Sequence, residues 1–230
     1  MNKFLKYNKR EPLPDERKIS YSQFSMYSQC PKHWELAYAK NLRTFSQSIH
    51  TVFGTAMHET LQHYLTVMYS DSVKSADAID IHGYLKDQMY TLYKEAVEKM
   101  GSHFSNKFEL GEFYEDGVAI LDWFKRKRGG YFSRKNEELL GIETPIYHPV
   151  NETNDKVMML GYLDVVIRDK RNNKITIIDI KTSTRGWNKY QKADKTKTSQ
   201  LVLYKKYFAQ QYGYDVDLID IKYMIVKRKL

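Results

Sequence analysis

An acid and a base stand two positions apart in a strongly apolar, strand-like segment of this sequence. Residues 175–181 hold four isoleucines together with Asp179 and Lys181, a composition typical of a strand buried on both faces. Successive side chains of a strand alternate between faces, so Asp179 and Lys181 are expected on the same side. A second acid, Asp164, interrupts the apolar run 161–167.

A hairpin between these two predicted strands would bring the charges together. Asn172 and Asn173 are turn-forming residues between them. With the turn centred on this pair, paired positions sum to 345, which places Asp164 directly opposite Lys181. Asp179 then lies diagonally across, within about 8 Å on the same face. We therefore expect two carboxylates and an amine to converge.

Neighbouring buried carboxylates predict a divalent cation. Their burial is costly unless a cation joins them, and the single amine of Lys181 cannot neutralise both. Oxygen ligands from carboxylates and water suit Mg²⁺ or Mn²⁺ better than Zn²⁺. Such an ion can activate a water and stabilise charge on a phosphoryl oxygen, with Lys181 adding a fixed positive charge. The alternative is a structural ion pair at the end of a strand, because an acid two residues before a lysine is common.

The elements that would position these residues follow from hydrophobic periodicity. Helical spacing in the first half predicts two short helices across residues 20–42 and longer helices at 50–69, 84–100 and 112–127. Alternation then predicts strands at 139–147, 157–168 and 174–181, a helix at 199–211 and a strand at 218–226. This order predicts an α/β fold, with a mixed central sheet flanked by helices in the order β-β-β-α-β and an N-terminal helical layer.

Length and cysteine content limit the possibilities further. The chain has 230 residues, which predicts a single domain over 19–230, divided into a helical layer (19–130) and an α/β core (138–230). Pro12, Pro14 and six basic side chains among the first 18 residues predict an extended basic arm over 1–18. The only cysteine, Cys30, excludes an internal disulfide and any four-cysteine metal or iron–sulfur site within the chain. Because the sequence has neither a long apolar run nor an apolar signal segment, we expect a cytoplasmic protein without a membrane anchor.

Positive charge and aromatic residues follow the predicted acidic site. The formal net charge is +9, which favours a polyanionic partner. Eight lysines and arginines but one acid occur from Lys181 to Lys206. Basic residues interleaved with aromatics are typical of a groove that holds DNA, and the candidate DNA-binding residues are Arg185, Trp187, Lys189, Tyr190, Lys192, Lys195 and Lys197. Residues 182–198 are expected to form a loop that is mobile without DNA, the alternative being a solvated charged loop.

Five blocks of the sequence occur together in an order that resembles a known nuclease superfamily. They are Ser22-Gln23-Phe24 through Cys30-Pro31, Gly54-Thr55-Ala56-Met57-His58-Glu59, Gly161-Tyr162-Leu163-Asp164, Asp179-Ile180-Lys181 and Gln200-Leu201-Val202-Leu203-Tyr204. Over roughly residues 19–226 the chain resembles the PD-(D/E)XK nucleases, and among them the RecB-like exonucleases that include CRISPR-adaptation enzymes. The resemblance implies a restriction-endonuclease-like core.

The resemblance also implies roles for individual residues. Asp164 and Asp179 would bind the metal together with the backbone carbonyl of Ile180, and Lys181 would be the catalytic lysine. His58 would be a further ligand or an organiser of the site. The alternative for His58 is an ordinary polar or core histidine.

Three further positions match the family at lower specificity. Glu143, on the first predicted strand, matches an acid that many members use as a second-metal ligand or a support. Gln200 and Tyr204 lie one helical turn apart and would face the active site and the DNA. Alternatively, Tyr204 packs in the core and Gln200 is a solvated helix start. Leu163 replaces the proline of the family motif.

The function implied by the resemblance is a Mg²⁺- or Mn²⁺-dependent DNA nuclease. It would be an exonuclease acting on single-stranded DNA ends in recombination, repair or phage DNA metabolism, with a helicase or recombinase as a candidate partner, in a bacterial cell or a phage-infected host. Relatives that hold an iron–sulfur cluster use four cysteines, which this chain lacks. The alternatives are a catalytically silent nucleic-acid-binding or scaffold protein and an RNA-directed nuclease.

Overall fold

The fold is that of a mixed sheet covered by helices on both faces. A computed structural model describes residue 5 and residues 11–151 and 154–228. Much of the predicted arm, residues 1–4 and 6–10, lies outside the described residues. The described part of the arm ends in a short strand, β1 (Arg17–Ile19), which belongs to the sheet.

The first half of the chain is helical, as its periodicity predicts. The helices are α1 (Tyr21–Gln29), α2 (Pro31–Trp34) with a π-helical continuation (Glu35–Ala39), α3 (Ile49–Ser70), α4 (Val73–Ala78), α5 (Ile81–Met100) and α6 (Lys107–Lys127) with a 3₁₀ turn (Arg128–Gly130). Ser20 and Ser48 cap α1 and α3 by accepting a hydrogen bond from a first-turn backbone N–H. The short helix α4 was not predicted.

The second half follows the predicted order of strands and helices. Its elements are β2 (Glu137–Asn151), β3 (Asn154–Asp169), β4 (Ile175–Ser183), α7 (Lys189–Ala193), α8 (Lys195–Tyr212), a 3₁₀ turn (Val216–Leu218) and β5 (Ile219–Lys227). The predicted α/β fold class, with its β-β-β-α-β core and N-terminal helical layer, is confirmed.

Strand β3 is the centre of the sheet and meets three other strands. It pairs antiparallel with β2 along one edge. Along the other edge it pairs with β1 through residues 157–159 and with β4 through residues 165–168. The part of β3 between these two ladders pairs with neither strand along that edge. Strand β5 pairs parallel with β4 and lies at the edge of the sheet formed by the described residues.

Each face of the sheet has its own hydrophobic layer. Helix α3, supported by α5 and α6, buries Phe53, Met57 and Leu61 against one face. Helix α8 buries Tyr204 and Phe208 against the other. Burial of these apolar and aromatic side chains fixes both helices on the sheet. Among the described residues, no helix has the length and apolar character needed to cross a membrane.

The predicted hairpin register was wrong by two residues. Val165 pairs with Ile178, so paired positions sum to 343. The turn therefore contains the four residues 170–173, and Asn173 adopts a left-handed conformation with φ 59°. On this register Asp164 lies opposite Asp179, not Lys181. Because the error is an even number, it leaves each side chain on the predicted face.

The predicted loop over residues 182–198 was also wrong. Thr182 and Ser183 end β4, and the segment continues through α7 into the first turn of α8. Asn188 caps α7 in a reciprocal capping box with Gln191, and Asp194 caps α8. These caps satisfy first-turn backbone N–H groups and stabilise helices where net charge alone suggested a loop.

Candidate active site

The two predicted metal ligands lie where β3 and β4 separate. The hydrogen-bonded ladder between these strands ends at the Val165–Ile178 pair, immediately before the acids. Beyond it, Asp164 Oδ2 accepts a hydrogen bond from the Ile180 backbone N–H at 2.6 Å. The carboxylate thus satisfies a buried donor that the ladder would otherwise engage. This fork between the strands places Asp164 beside Asp179.

Asp179 and Lys181 form the acid–base pair expected from strand alternation. Asp179 is 4% exposed, and its Oδ2 lies 2.7 Å from Lys181 Nζ. Burial raises the pKa of Asp179, while the positive charge and hydrogen bond of Lys181 oppose that rise. The ammonium therefore stabilises the buried carboxylate and stays near the surface, within reach of an anionic substrate.

Ionisation of Asp164 is opposed both by burial and by the charge of a neighbouring acid. Burial raises the pKa of Asp164 to about 7, and the charge of Asp179 acts in the same direction. The Ile180 N–H and the Lys181 ammonium oppose the rise. A carboxylate that ionises only near neutral pH, beside a second acid, is an environment that a bound cation would stabilise.

Helix α3 supplies a histidine to the fork. His58 Nδ1 lies 3.5 Å from Asp164 Oδ2. Burial and then the charge of Lys181 lower the pKa of His58 to about 4, against a smaller opposing effect of a backbone hydrogen bond to Ile180. The imidazole is therefore neutral at neutral pH, with one nitrogen able to donate and the other able to accept.

Glu143 joins the acids from the other neighbouring strand. It lies between the pairs Ile142–Val165 and Thr144–Leu163, and therefore beside Asp164 across the β2–β3 ladder. Its φ of 47° is left-handed, which is uncommon for a side chain with a Cβ. The structure thus brings together all three acids that the sequence singled out.

Gln62 is a site residue that the sequence analysis missed. It lies one turn after His58 on α3, and its Nε2 donates to Glu143 Oε1 at 2.6 Å and to the Asp164 backbone carbonyl at 3.3 Å. The spacing of four residues from His58 was the available signal, because it places both side chains on one helix face.

Helix α8 covers the acids from the opposite face. Gln200 Nε2 donates to the Tyr204 hydroxyl at 3.3 Å, as the predicted pairing of these residues implies. Burial raises the pKa of Tyr204, and the charges of Asp179, Asp164 and Glu143 contribute further. Tyr204 approaches closely because Gly161 has no side chain: a Cβ there would lie 2.8 Å from Tyr204 Cε1.

The donor atoms at the fork fit a hard divalent cation. Asp164, Asp179 and the Ile180 carbonyl offer oxygen ligands, and Mg²⁺ is commonly held by one or two carboxylates while it keeps several waters. Within the described ranges, no three His, Cys, Asp or Glu side chains form a ready-made metal cage. The arrangement therefore suits an ion that takes its remaining ligands from water and substrate.

A cleft on the α3 side leads to this cluster. It has a volume of about 590 Å³ and is lined by Thr51, Gly54, Thr55, Glu59, Glu143 and Thr182 among others. Gly54 permits the close packing of α3 on β4, since a Cβ there would lie 2.9 Å from Thr182 Oγ1. The cleft therefore opens onto Glu143 and His58, which lie beside Asp164.

Two of the predicted DNA-binding residues form an aromatic and basic contact next to the site. The Trp187 ring lies 4.8 Å from the Tyr223 ring, and Lys197 Nζ lies 5.2 Å from the centre of the Trp187 ring. Tyr223, which the sequence analysis missed, pairs with Asp179 across β4 and β5. Burial and the charge of Asp179 raise the pKa of Tyr223.

The other predicted DNA-binding residues lie on the exposed surface of the same segment. These are Arg185, Lys189, Tyr190, Lys192 and Lys195. Tyr190 is 75% exposed, and Lys189 Nζ lies 5.0 Å from the centre of its ring. The side chains are therefore available to a partner.

The fold and the acidic fork define a nuclease-like α/β protein. A family model for the PD-(D/E)XK nuclease superfamily matches residues 18–229. The chain therefore belongs to the PD-(D/E)XK nuclease superfamily. A comparison with curated proteins finds no match.

Proposed function

We propose that this protein is a metal-dependent DNA nuclease that hydrolyses phosphodiester bonds. Its superfamily membership indicates a nuclease with a nucleic acid substrate. The observation that carries the proposal is the fork, where Asp164 and Asp179 lie side by side and Lys181 contacts Asp179. Two adjacent carboxylates can hold a metal ion that activates water, and a lysine beside them can stabilise negative charge that develops on a phosphate.

Asp164, Asp179 and the Ile180 carbonyl would hold Mg²⁺ or Mn²⁺. The bound ion would supply positive charge for the phosphate and lower the pKa of a coordinated water. His58 is neutral and lies against Asp164, so it would orient that carboxylate without adding positive charge. Glu143 would support the same cluster from β2.

Lys181 and Tyr204 would interact with the substrate directly. The Lys181 ammonium can position the attacking water or hold a phosphate oxygen, and either role stabilises developing negative charge. The Tyr204 hydroxyl is a donor near the acids, and Gln200 fixes its position. In this assignment Lys181 is the larger contributor because it carries a full charge.

The aromatic contact beside Asp179 supports a substrate with unpaired bases. Trp187 and Tyr223 pack against each other next to β4, and the exposed basic residues from Arg185 to Lys195 could follow the phosphate backbone. We accordingly assign the protein as an exonuclease that acts on single-stranded DNA ends. Recombination, repair or phage DNA metabolism in the cytoplasm, with a helicase or recombinase partner, would use this activity.

A catalytically silent nucleic-acid-binding protein is the second candidate. The observation that favours it is the exposed basic and aromatic surface from Arg185 to Lys195, which could bind a nucleic acid without a metal. Such a protein would keep the basic and aromatic surface and bind DNA without cutting it. The two candidates differ in a single measurable property, metal-dependent product formation.

The test uses end-labelled single-stranded DNA, duplex DNA and RNA, each with Mn²⁺, Mg²⁺ or EDTA. We expect shortened products from single-stranded DNA with metal and none with EDTA. Asp179→Asn should bind DNA normally but not cut it, whereas Asp220→Asn, at an exposed aspartate on β5, should cut normally. DNA binding without metal-dependent products on any substrate would establish the silent protein instead, and products from RNA alone would reassign the substrate.

A further inference from the structure

Gln62 joins two strands of the sheet at the acidic cluster. It is 6% exposed on the inner face of α3. Its one amide nitrogen donates to Glu143 Oε1 on β2 at 2.6 Å and to the Asp164 backbone carbonyl on β3 at 3.3 Å. One neutral side chain therefore fixes both the carboxylate of Glu143 and the backbone that carries Asp164.

Glu143 needs such a partner because its backbone is unusual. Its left-handed φ of 47° lies outside the conformations that strand residues prefer. This conformation aims the side chain toward α3, where the Gln62 amide meets it. A carboxylate already surrounded by acids would repel an acidic neighbour, whereas an amide donates a hydrogen bond without adding negative charge.

We propose that Gln62 is a positioning residue that orients Glu143 for cation binding at the Asp164–Asp179 fork. The proposal rests on the metal-dependent function proposed above. Gln62 acts through hydrogen bonds to its neighbours and touches neither the ion nor the substrate. Removal of its amide would leave Glu143 free to rotate away from the cluster.

The chain offers a matched control on the opposite face of the sheet. Gln211 on α8 also makes two hydrogen bonds to β2: its Nε2 donates to the Pro145 carbonyl at 2.8 Å, and its Oε1 accepts from the Tyr147 N–H at 2.7 Å. Both partners are backbone groups away from the acids. Gln211→Met therefore removes a glutamine that bridges a helix to the same strand, without disturbing Glu143.

The experiment measures Mn²⁺ affinity by calorimetry in the absence of nucleic acid, with thermal unfolding in EDTA as a check of folding. Gln62→Met keeps the side-chain volume but cannot donate, and we expect it to weaken Mn²⁺ binding about tenfold, the scale typical of supporting hydrogen bonds around metal sites. Gln211→Met should bind Mn²⁺ like the wild type. If Gln62→Met does not fold, Gln62→Asn, whose amide is one carbon shorter, gives the same comparison.

A double-mutant cycle shows whether Gln62 acts through Glu143. In a Glu143→Gln background, Gln62→Met should change the affinity by less than about twofold, because the orientation it controls no longer matters. Wild-type affinity in the Gln62 variants, or the full loss in the Glu143→Gln background, overturns the proposal. Failure of the wild type to bind Mn²⁺ overturns both this proposal and the metal-dependent function, whereas Mn²⁺ binding without DNA cleavage overturns the function alone.

Discussion

The same tripeptide occurs on two adjacent parallel strands and has a different environment on each. Asp179-Ile180-Lys181 lies near the end of β4, and Asp220-Ile221-Lys222 lies near the start of β5. Asp179 is buried and forms an ion pair with Lys181, whereas Asp220 and Lys222 are exposed at the sheet edge. An identical sequence thus yields a candidate catalytic pair on one strand and surface charge on the next.

The difference lies in what surrounds each tripeptide. On β4 it lies beyond the end of the β3–β4 ladder, where Asp164 stands opposite and Tyr204 covers it from α8. On β5 it lies inside a continuous ladder, with Asp220 paired to Thr176. On β4 the acid–base pair coincides with a second acid, with burial and with an opening between strands, and such surroundings mark a candidate functional site.

The largest expected effect separates the two lysines. Lys181→Ala should slow DNA cleavage by about 100- to 1000-fold, the usual cost of removing one donor that stabilises developing charge. Lys222→Ala should leave the rate within about twofold, since an exposed surface charge contributes little. Single-turnover cleavage of labelled DNA measures both. Equal losses in the two variants would refute the distinction between the strands.

The second effect concerns the burial of acids and is measured without metal. The pKa of Asp164 is raised to about 7, above the ordinary value of 3.8. The Asp164 carboxyl group therefore holds its proton more tightly in the folded state than in the unfolded state. The contribution of this protonated group to folding stability is lost as pH rises through about 7. Asp164→Asn should consequently raise the free energy of unfolding at pH 8, by on the order of 1 to 3 kcal/mol, with little effect near pH 4.

Denaturant unfolding in EDTA at the two pH values provides the measurement. Asp220→Asn is the control, because its carboxylate is exposed and should show no comparable pH-dependent gain. A gain in Asp164→Asn that is the same at both pH values would mean that ionisation of Asp164 is not its source.

The smallest expected effect concerns the part of β5 that does adjoin the site. Tyr223 follows the β5 tripeptide, pairs with Asp179 and contacts Trp187. Trp187→Ala should weaken binding of single-stranded DNA about tenfold, because stacking on an aromatic side chain contributes roughly 1 to 3 kcal/mol per base. Fluorescence anisotropy with Ca²⁺ in place of a catalytic metal measures this affinity. Trp123→Ala, at a half-exposed tryptophan on α6, should bind like the wild type, and equal weakening by both would argue against a specific stacking site.

Local patterns predicted most of the fold. Apolar spacing located the long helices α3, α5 and α6, since helical periodicity repeats within each segment. Strand alternation placed Asp179 and Lys181 on one face, because side chains two positions apart in a strand lie on the same side. The hairpin register was missed by two residues because the four-residue turn is not fixed by its asparagines alone. Three-residue β1 is too short to leave a pattern.

The candidate site was predicted less completely. Resemblance to the superfamily supplied His58, Glu143 and Tyr204, and the structure places all three around the acids. Gln62 and Tyr223 belong to residue types that are common outside functional sites, and their importance lies in partners distant in sequence. Gln62 reaches a residue 81 positions away.

The sequence by itself determined the order of the elements, the face of each strand residue and which acidic, basic and aromatic residues are present. Those properties depend on backbone geometry and on neighbours a few residues away. Only the tertiary structure decided that Asp164 lies opposite Asp179 rather than Lys181, and that Gln62 and Tyr223 adjoin the acids. Desolvation and electrostatic interaction depend on distance in space, and the charges that act on Asp179 include that of Glu143, which lies on another strand of the sheet.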